Sequence, residues 1–248
     1  MKFKSRIDAY GHQATSETNS TILNGRYSFQ ANSELLIPDD VKDKLLLNKN
    51  DNVLDIGCGS GDVALHISKD VNTITVCDHR NLIQRLKKIN KEKNFKYVPV
   101  SFLDFNFGDN KYSKILIYSV VQTFSTREEL FKVLSKIKDL LLEGGRILIG
   151  DIPNNDKLNR FLSTKRGEIF SNQWQKLKKE NNLNEVEVTK FVSNENTSDI
   201  DLNDKLIFDI LKYFRESGFN SYLLEQKHNL PFGNSREDII VCHSDFYL

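Results

Sequence analysis

A glycine-rich turn between a predicted strand and a predicted helix constrains the fold of this chain more than any other feature. Residues 53–56 are mostly apolar and partly β-branched, which predicts a short buried strand. Glycines follow at alternate positions, Gly57, Gly59 and Gly61, and an apolar-periodic stretch begins at Val63. Glycine permits the positive φ of a sharp reversal and lets the backbone approach a ligand closely. The pattern therefore predicts a strand, a tight turn and a helix whose first N–H groups point over the turn.

The spacing of these glycines argues against two familiar phosphate-binding turns. The dinucleotide-binding turn is G-x-G-x-x-G, but its last glycine would fall on Asp62, whose carboxylate at a helix N-terminus repels a pyrophosphate. This argues against a nicotinamide-dependent oxidoreductase. The P-loop requires a Gly-Lys-Ser/Thr string, which does not follow here. The remaining pattern is G-x-G-x-G with an acid, Asp55, two positions before the first glycine.

This pattern carries a family resemblance, and the string concerned is Asp55-Ile56-Gly57-Cys58-Gly59-Ser60-Gly61. It closely resembles motif I of the class I S-adenosylmethionine-dependent methyltransferases, here of the small-molecule type. The alternative is a tight turn that binds no ligand. The resemblance extends over residues 45–150 by motif and over 204–243 by the order of elements. It implies an α/β fold: a Rossmann-like, doubly wound, seven-stranded sheet, mostly parallel with an antiparallel last strand, and helices on both faces.

The resemblance also implies a binding site for S-adenosylmethionine. Asp78 ends the second predicted strand, residues 71–77, where a carboxylate can accept both hydroxyl protons of a ribose; the alternative is a cap on the next helix. Asp104 follows the third predicted strand, where the family binds adenine; the alternative is an ordinary loop residue. The residues assigned to the cofactor are Asp55, Gly57, Cys58, Gly59, Gly61, Asp78, His79, Leu103, Asp104, Phe105 and Ser119.

Three polar residues are candidates for a general base, which is needed only if the pKa of the acceptor lies well above ambient pH. Asp151 ends the fifth predicted strand, residues 147–150, at the sheet edge where open α/β sheets bind ligands; the alternative is a solvated residue in a strand exit. Gln122 follows the fourth predicted strand and can orient a substrate or cap a helix. His12 is the third candidate, with a loop residue of no role as its alternative. The histidines are dispersed, and no metal site is predicted.

The length of 248 residues favours one domain over residues 1–248. By the resemblance, residues 1–47 form a helical segment that folds over the cofactor as a lid. Residues 153–203 break the alternation of strand and helix, and we expect this insertion to cover the active site and fix substrate identity. The remaining predicted elements are a helix that starts at Thr126 and is ended by the glycines of residues 143–146, a helix over 204–216 and two closing strands, 221–225 and 238–242.

Composition argues against several partners and locations. The 35 basic and 34 acidic side chains give a net charge of +1, so no overall field collects nucleic acid or an anionic membrane. Cys58, Cys77 and Cys242 show no C-x-x-C spacing and read as reduced thiols. Neither a signal-peptide pattern nor an apolar run of membrane-spanning length is present. A cytoplasmic location is therefore expected, and the oligomeric state is left open.

The sequence thus predicts a methyltransferase that moves a methyl group from S-adenosylmethionine to an O or N atom of a small polar metabolite, such as a sugar or sugar-like intermediate. S-adenosylhomocysteine is the expected product, formed by in-line displacement that depends on orientation. An RNA methyltransferase is an alternative. A protein that binds S-adenosylmethionine without catalysis is another.

Overall fold

A seven-stranded sheet forms the centre of the protein. The computed structural model describes residues 6–15, 19–181 and 199–243. The strands are β1 (Asn52–Ile56), β2 (Thr73–Cys77), β3 (Phe95–Val98), β4 (Tyr112–Tyr118), β5 (Leu141–Pro153), β6 (Phe219–Glu225) and β7 (Arg236–His243). Their order is β3-β2-β1-β4-β5-β7-β6, and β7 runs antiparallel to both of its neighbours while the pairings among β1 to β5 are parallel. The predicted fold class is confirmed.

The middle strands are apolar because both of their faces are covered by other elements. Leu54 of β1 lies in register with Thr75 of β2 and Ile115 of β4, and both Leu54 and Ile115 are fully buried. Leu116, the next residue of β4, is also fully buried but packs in a second cluster with Ile37 from the N-terminal segment. The sheet therefore has a core on each side.

Helices fill both of these layers. They are α1 (Arg6–Gln13), α2 (Ser20–Leu23), α3 (Ala31–Glu34), α4 (Ile37–Leu45), α5 (Asp62–Ile67), α6 (Arg80–Ile89), α7 (Arg127–Leu140), α8 (Asn155–Leu162), α9 (Lys165–Glu180) and α10 (Asp204–Glu216). The Thr126 hydroxyl caps α7 by accepting the Glu129 N–H at 3.2 Å, as the sequence predicts. The predicted helix over 204–216 is confirmed, while α7 ends at Leu140, before the glycines that were expected to end it.

The fifth strand differs from its prediction. It was expected over residues 147–150, after a helix stopped by glycine, but β5 begins directly after α7 and runs to Pro153. Its length comes from pairing on both edges, since β4 lies on one side and β7 on the other. The pairing with β7 shifts register between Ile149 and Ile152, and Asp151 lies in this irregularity with a φ of 56°. Asp151 is consequently part of the strand and not of an exit loop.

The N-terminal segment is held from outside by the insertion that follows β5. Trp174 of α9 packs on Phe29 and Tyr27 with ring centroids 5.0 and 5.6 Å apart, and on Phe232 at 5.8 Å. Aromatic pairs of this kind each contribute about 0.5–1.5 kcal/mol beyond the burial of their area. The described part of the insertion therefore supports the N-terminal segment.

A buried ion triad joins α4 to the sheet. The Lys44 ammonium lies 2.5 Å from a carboxylate oxygen of Asp40 and 2.5 Å from one of Asp238, and both acids are almost completely buried. Asp238 also accepts the backbone N–H of Asp151 at 2.7 Å. Removing the cation would leave two carboxylates in the interior with less compensation, which is more costly than losing an exposed pair.

We expect Lys44→Met to lower the free energy of unfolding by about 3 kcal/mol, because the two buried acids lose their shared cation. Lys42→Met is the matched control, since Lys42 pairs with Asp70 at the surface and its loss should leave the unfolding midpoint nearly unchanged. Urea unfolding of both variants measures the difference. Equal, small effects of the two substitutions would contradict this account of the triad.

Candidate active site

A cavity of about 480 Å³ lies at the carboxyl ends of the parallel strands. It is lined by the glycine turn after β1, by the ends of β2 and β4 and by the loop after β3. The N-terminal segment supplies the opposite wall with residues that include Tyr10, Asn24, Arg26 and Glu34. The order of the strands reverses between β1 and β4, and such a reversal opens a crevice that binds ligands in open α/β sheets.

The glycine turn has the backbone that the sequence predicts. Gly57, Gly59 and Gly61 have φ values of 74°, 56° and 88°, a region that side chains other than glycine rarely occupy. A Cβ at Gly57 would lie 2.5 Å from the Val120 side chain, and a Cβ at Gly59 would lie 2.7 Å from Asn24 Oδ1. A side chain at either position would clash with these neighbours, so the packing requires glycine here as well as the backbone conformation does.

Two buried acids stand beside this turn. The carboxylate oxygens of Asp78 accept the backbone N–H groups of Gly59 at 2.7 Å and His79 at 2.6 Å. Asp55 is 3% exposed, lines the cavity, and accepts no hydrogen bond from any side chain or N–H in the described residues. Burial, aided by the nearby charge of Asp78, raises the pKa of Asp55 to about 7. Burial raises the pKa of Asp78 to about 6 against its two hydrogen bonds.

This arrangement fits a ligand that brings positive charge and hydroxyl groups. A cation would relieve the repulsion between the two carboxylates, and Asp55 has free acceptor capacity toward the cavity. S-adenosylmethionine has both features, with an ammonium, a sulfonium and a ribose. The cradle and the unpartnered acid are therefore compatible with the predicted cofactor.

Of the three residues predicted to bind adenine, one lines the cavity and two do not. Leu103 lines the cavity together with Ser101 and Phe102. Asp104 is exposed, its N–H donates to Ser101 O at 3.1 Å in a turn, and it lies outside the lining. Phe105 packs on Phe107 with ring centroids 4.8 Å apart and also lies outside it. Adenine contacts of Asp104 and Phe105 stay predictions.

His79 has a structural role beside its predicted one. It lines the cavity, and its Nδ1 caps α6 by accepting the Asn81 N–H at 3.2 Å, the role proposed as the alternative for Asp78. The α1 helix packs directly on its ring, since a Cβ at Gly11 would lie 2.2 Å from His79 Nδ1. Burial lowers the pKa of His79, which favours the neutral imidazole that can act as a cap.

The structure does not bring the three candidate bases together. His12 is exposed on α1, and Gln122 Nε2 donates to Ser119 O at 2.8 Å; neither lines the cavity. Asp151 is 3% exposed and also lies outside the lining. Its carboxylate accepts the Ser119 hydroxyl and Arg26 Nη2, the latter at 3.3 Å. Asp151 is thus a buried anchor and not a solvated residue of a strand exit.

Asp151 has further partners from the last two strands and the loop between them. Gln226 Nε2 donates to it at 3.3 Å, and the Arg236 guanidinium lies 3.6 Å away. Gln226 Nε2 also donates to the Tyr118 hydroxyl at 3.1 Å. Burial raises the pKa of Tyr118 well above its usual range, and the charge of Asp151 adds to this, so its hydroxyl stays protonated. The ends of β4 and β5 are therefore fixed by a shared polar network.

Three residues of the N-terminal segment complete the site, and the sequence analysis missed them. Arg26 Nη2 donates to Ser119 Oγ at 2.7 Å, while its Nη1 pairs with Glu34 Oε1 at 3.2 Å. Asn24 Nδ2 donates to the same Glu34 oxygen at 2.7 Å and to Asp62 at 3.3 Å. A continuous hydrogen-bonded chain thus runs from the helix after the glycine turn to the ends of β4 and β5. No motif or periodicity marks these residues in the sequence.

The backbone at the far end of this chain is strained. Ser119 has a φ of 60° and Asp151 one of 56°, although neither is a glycine. Such conformations cost about 1–3 kcal/mol each and persist where surrounding contacts enforce them. Here Arg26 binds both side chains, so the N-terminal segment and the strained strand ends hold one another in place.

The three cysteines are free thiols, and Cys77 and Cys242 are buried. Within residues 6–15, 19–181 and 199–243, no group of three His, Cys, Asp or Glu side chains is placed to hold a metal ion. Over the same ranges, no helix has the length and apolar character needed to traverse a lipid bilayer.

Comparison with known proteins supports the same fold and motif. Residues 53–145, less than half of the chain, match a family model described as a methyltransferase domain. A segment of 114 residues is 32% identical to a probable non-canonical nonribosomal peptide synthetase, CymA, from Salinispora arenicola (strain CNS-205). The match covers 44% of this chain and only 2% of the length of CymA.

Solved structures extend the similarity to nearly the whole chain. The N-methyltransferase NodS from Bradyrhizobium japonicum WM9, in complex with S-adenosyl-L-homocysteine, superimposes with a TM-score of 0.62 at 10% identity, over 98% of this chain and 100% of NodS. The plantazolicin methyltransferase BpumL, in complex with the same product, gives a TM-score of 0.57 at 15% identity, over 96% of this chain and 95% of BpumL. At these identities the likeness concerns the fold.

The raised pKa of Asp55 makes a prediction about stability in the absence of ligand. The pKa of Asp55 is higher in the folded than in the unfolded protein. The stabilisation from keeping this buried carboxyl protonated is therefore complete below about pH 4 and is lost as the pH rises through 7. Asp55→Asn should therefore raise the free energy of unfolding at pH 8 by about 2 kcal/mol, with little effect at pH 4.5. Urea unfolding at both pH values measures the effect, and Asp109→Asn at an exposed turn is the control. An equal change at both pH values would contradict the assignment.

Proposed function

We propose that this chain is a class I S-adenosylmethionine-dependent methyltransferase, which the match of residues 53–145 to a methyltransferase domain supports, and that it transfers the methyl group of that cofactor to a small-molecule or peptide acceptor. The observation that carries the proposal is the cavity over the glycine turn with the unpartnered Asp55 and the anchored Asp78. When bound, S-adenosylmethionine supplies an electrophilic methyl group on a sulfonium.

The roles of the chain's own residues follow from their positions. Asp55 and the turn would hold the ammonium of the methionine portion, since the acid is buried, lines the cavity and lacks a partner. Asp78 would accept the ribose hydroxyls with the lone pairs that its two backbone bonds leave free. Gly57 and Gly59 line the cavity with backbone that a ligand can approach closely. Leu103 is the residue of the predicted adenine set with the clearest access to the cavity.

Orientation is the main contribution of the protein in this proposal. A nucleophile held in line with a methyl group gains much of its acceleration from the loss of unproductive arrangements. The rigid network around Arg26, Ser119 and Asp151 fixes the wall of the cavity beside the ends of β4 and β5. His12, Gln122 and Asp151 do not line the cavity, so the proposal assigns none of them as a base.

The size of the cavity favours a compact acceptor, since about 480 Å³ must hold the cofactor as well. The named activities of the structural neighbours are compatible with small molecules and peptides: NodS is an N-methyltransferase and BpumL methylates plantazolicin. We propose an O or N atom as the acceptor atom. A sugar-like acceptor stays a special case within this class.

We assign the lid to the N-terminal segment, residues 1–47. Tyr10, Arg26 and Glu34 line the cavity from this segment. The insertion over residues 153–203 was expected to cover the site, but none of its described residues, 153–181 and 199–203, lines the cavity. Residues 182–198 lie outside the described part. In this proposal the segment 1–47 contacts the substrates, and α9 holds it in place through Trp174.

A cytoplasmic location is part of the same proposal. Three free thiols are typical of proteins from reducing compartments. S-adenosylmethionine is then available without crossing a membrane.

Calorimetric titration with S-adenosylmethionine, S-adenosylhomocysteine and NAD tests the cofactor. We expect saturable binding of the first two and none of NAD. Asp78→Asn should weaken both by about tenfold or more, because the ribose loses a charged acceptor, and Asp109→Asn should bind like the wild type. Binding of NAD, or of none of the three, would overturn the assignment. Binding without turnover of any acceptor would instead indicate a protein that retains the cofactor but not catalysis.

A further inference from the structure

The cavity is strongly acidic, although the chain as a whole is nearly neutral. Five carboxylates line it: Glu34, Asp55, Asp62, Asp78 and Glu129. Among the described residues that line it, Arg26 is the one side chain with a permanent positive charge. Of these five acids, Glu34 is the one that forms an ion pair within the described residues. The excess of negative charge is therefore a property of the cavity and not of the surface.

The guanidinium of Arg26 is largely committed to groups of the protein. It is 5% exposed, and its two terminal nitrogens contact Glu34, Ser119 and Asp151. Binding an anion would break a pair that is already buried, which costs several kcal/mol. The guanidinium thus mainly compensates Glu34 and Asp151, while its Nε has no partner among the described residues.

Binding of the cofactor neutralises only part of the excess negative charge in the cavity. S-adenosylmethionine carries an ammonium, a sulfonium and a carboxylate, and so brings one net positive charge. At least two of the remaining acids then have no countercharge, even when Asp55 is protonated. Charges interact strongly in an enclosed site of low dielectric, so an acceptor that bears a negative charge is repelled and one that bears a positive charge is attracted.

Glu34 is placed to make this selection. Its Oε1 accepts from Asn24, which also binds Asp62 beside the glycine turn, and from Arg26, which also binds Ser119 at the end of β4. The carboxylate therefore lies between the cofactor side and the strand-end side of the cavity. It is held rigid by two donors and is 11% exposed.

Aromatic faces accompany the acid. Tyr10 and Tyr118 both line the cavity, and Tyr118 is 8% exposed with its hydroxyl accepting from Gln226. An ammonium group over a tyrosine ring gains about 0.5–2 kcal/mol when it is desolvated. An acid and two tyrosine rings that line the same cavity have the chemistry of a site for an organic cation.

We propose that the methyl acceptor is an amine that enters this cavity as an ammonium ion and is recognised by Glu34. This inference rests on the proposed methyl transfer and narrows its acceptor from an O or N atom to an amine nitrogen. A polyanion such as RNA does not suit the same cavity.

The reaction balances with one proton released. The ammonium loses a proton to water, and the lone pair of the resulting amine forms a bond to the methyl carbon. The C–S bond breaks and its electron pair stays on sulfur, giving neutral S-adenosylhomocysteine on that side and a methylated ammonium on the other. Two positive charges enter, and two leave as the product cation and the proton.

The test uses three probes of one shape and different charge: benzylamine, benzyl alcohol and benzoate. Each is titrated by NMR into the complex with saturating S-adenosylhomocysteine, so that the cofactor positions are filled. Benzylamine is expected to bind at least about tenfold more tightly than benzoate, with benzyl alcohol between them. Equal affinities, tighter binding of benzoate, or no binding of any probe to the complex would overturn the proposal.

Two variants assign the preference to the cavity. Glu34→Gln keeps an acceptor for Arg26 and Asn24 but removes the charge, and it should reduce the ratio of benzylamine to benzoate affinity by about threefold or more. Glu128→Gln removes an equal charge from the exposed pair with Lys132 and should leave the ratio unchanged. An unchanged ratio in Glu34→Gln would refute the role of this acid.

The two proposals fail in different ways. Failure of S-adenosylhomocysteine to bind contradicts the methyltransferase assignment before any probe is added. Binding of S-adenosylhomocysteine with no preference for benzylamine leaves the methyl transfer intact and contradicts the amine acceptor alone.

Discussion

The reversal of strand order between β1 and β4 is the constraint on which the site depends. Strands β2 and β3 extend the sheet on one side of β1, and β4 and β5 extend it on the other. The connections on the two sides leave the carboxyl end of β1 uncovered, and the crevice there is where an α/β sheet can bind a ligand without breaking its ladder. Gly57, Gly59, Asp55 and the ends of β2 and β4 all line this space because they lie at the ends of strands that reach the same edge of the sheet, whereas Gly61 lies outside the lining.

A buried ionic network converts the open crevice into a cavity. Arg26 crosses from the N-terminal segment to Ser119 and Asp151, and Lys44 crosses from α4 to Asp238, whose carboxylate accepts the N–H of Asp151. Buried charges stabilise a fold poorly in net terms, but each is costly to leave unpaired. The network therefore favours a single position of the N-terminal segment, because a shift of the segment would leave several buried charges without partners. The strained backbone at Ser119 and Asp151 and the buried Arg26 guanidinium are tolerated together, because the guanidinium hydrogen-bonds to both strained residues.

The sequence predicted the parts of this arrangement that are local. The glycine turn, the capped α7 and the apolar middle strands follow from spacing, capping and burial patterns within one element, and they fixed the fold class. The extent of β5 was missed because two glycines resemble a helix stop, while pairing with β7, far along the chain, decides the outcome. Asp151 was read as a strand exit for the same reason. Asn24, Arg26 and Glu34 lie in short helices and turns without periodicity, so their convergence depends on tertiary contacts that no local pattern encodes.

The same contrast between local patterns and tertiary contacts applies to the two binding sites: a motif marks the cofactor site, and none marks the acceptor site. The strand ends that would hold S-adenosylmethionine are tied to the sheet, so their chemistry has to appear at fixed positions after strands and can be recognised as a motif. The wall that we propose faces the acceptor comes from the N-terminal segment, which is attached to the strand ends through side chains. The charge of this wall therefore indicates the chemistry of the acceptor better than any sequence motif does. In this chain, that wall contributes Glu34 to a cavity that already holds four other carboxylates, and it uses its own cation to stabilise the segment. In the proposed amine methylation, the electrostatics of the wall select the charge of the acceptor before shape selects its identity.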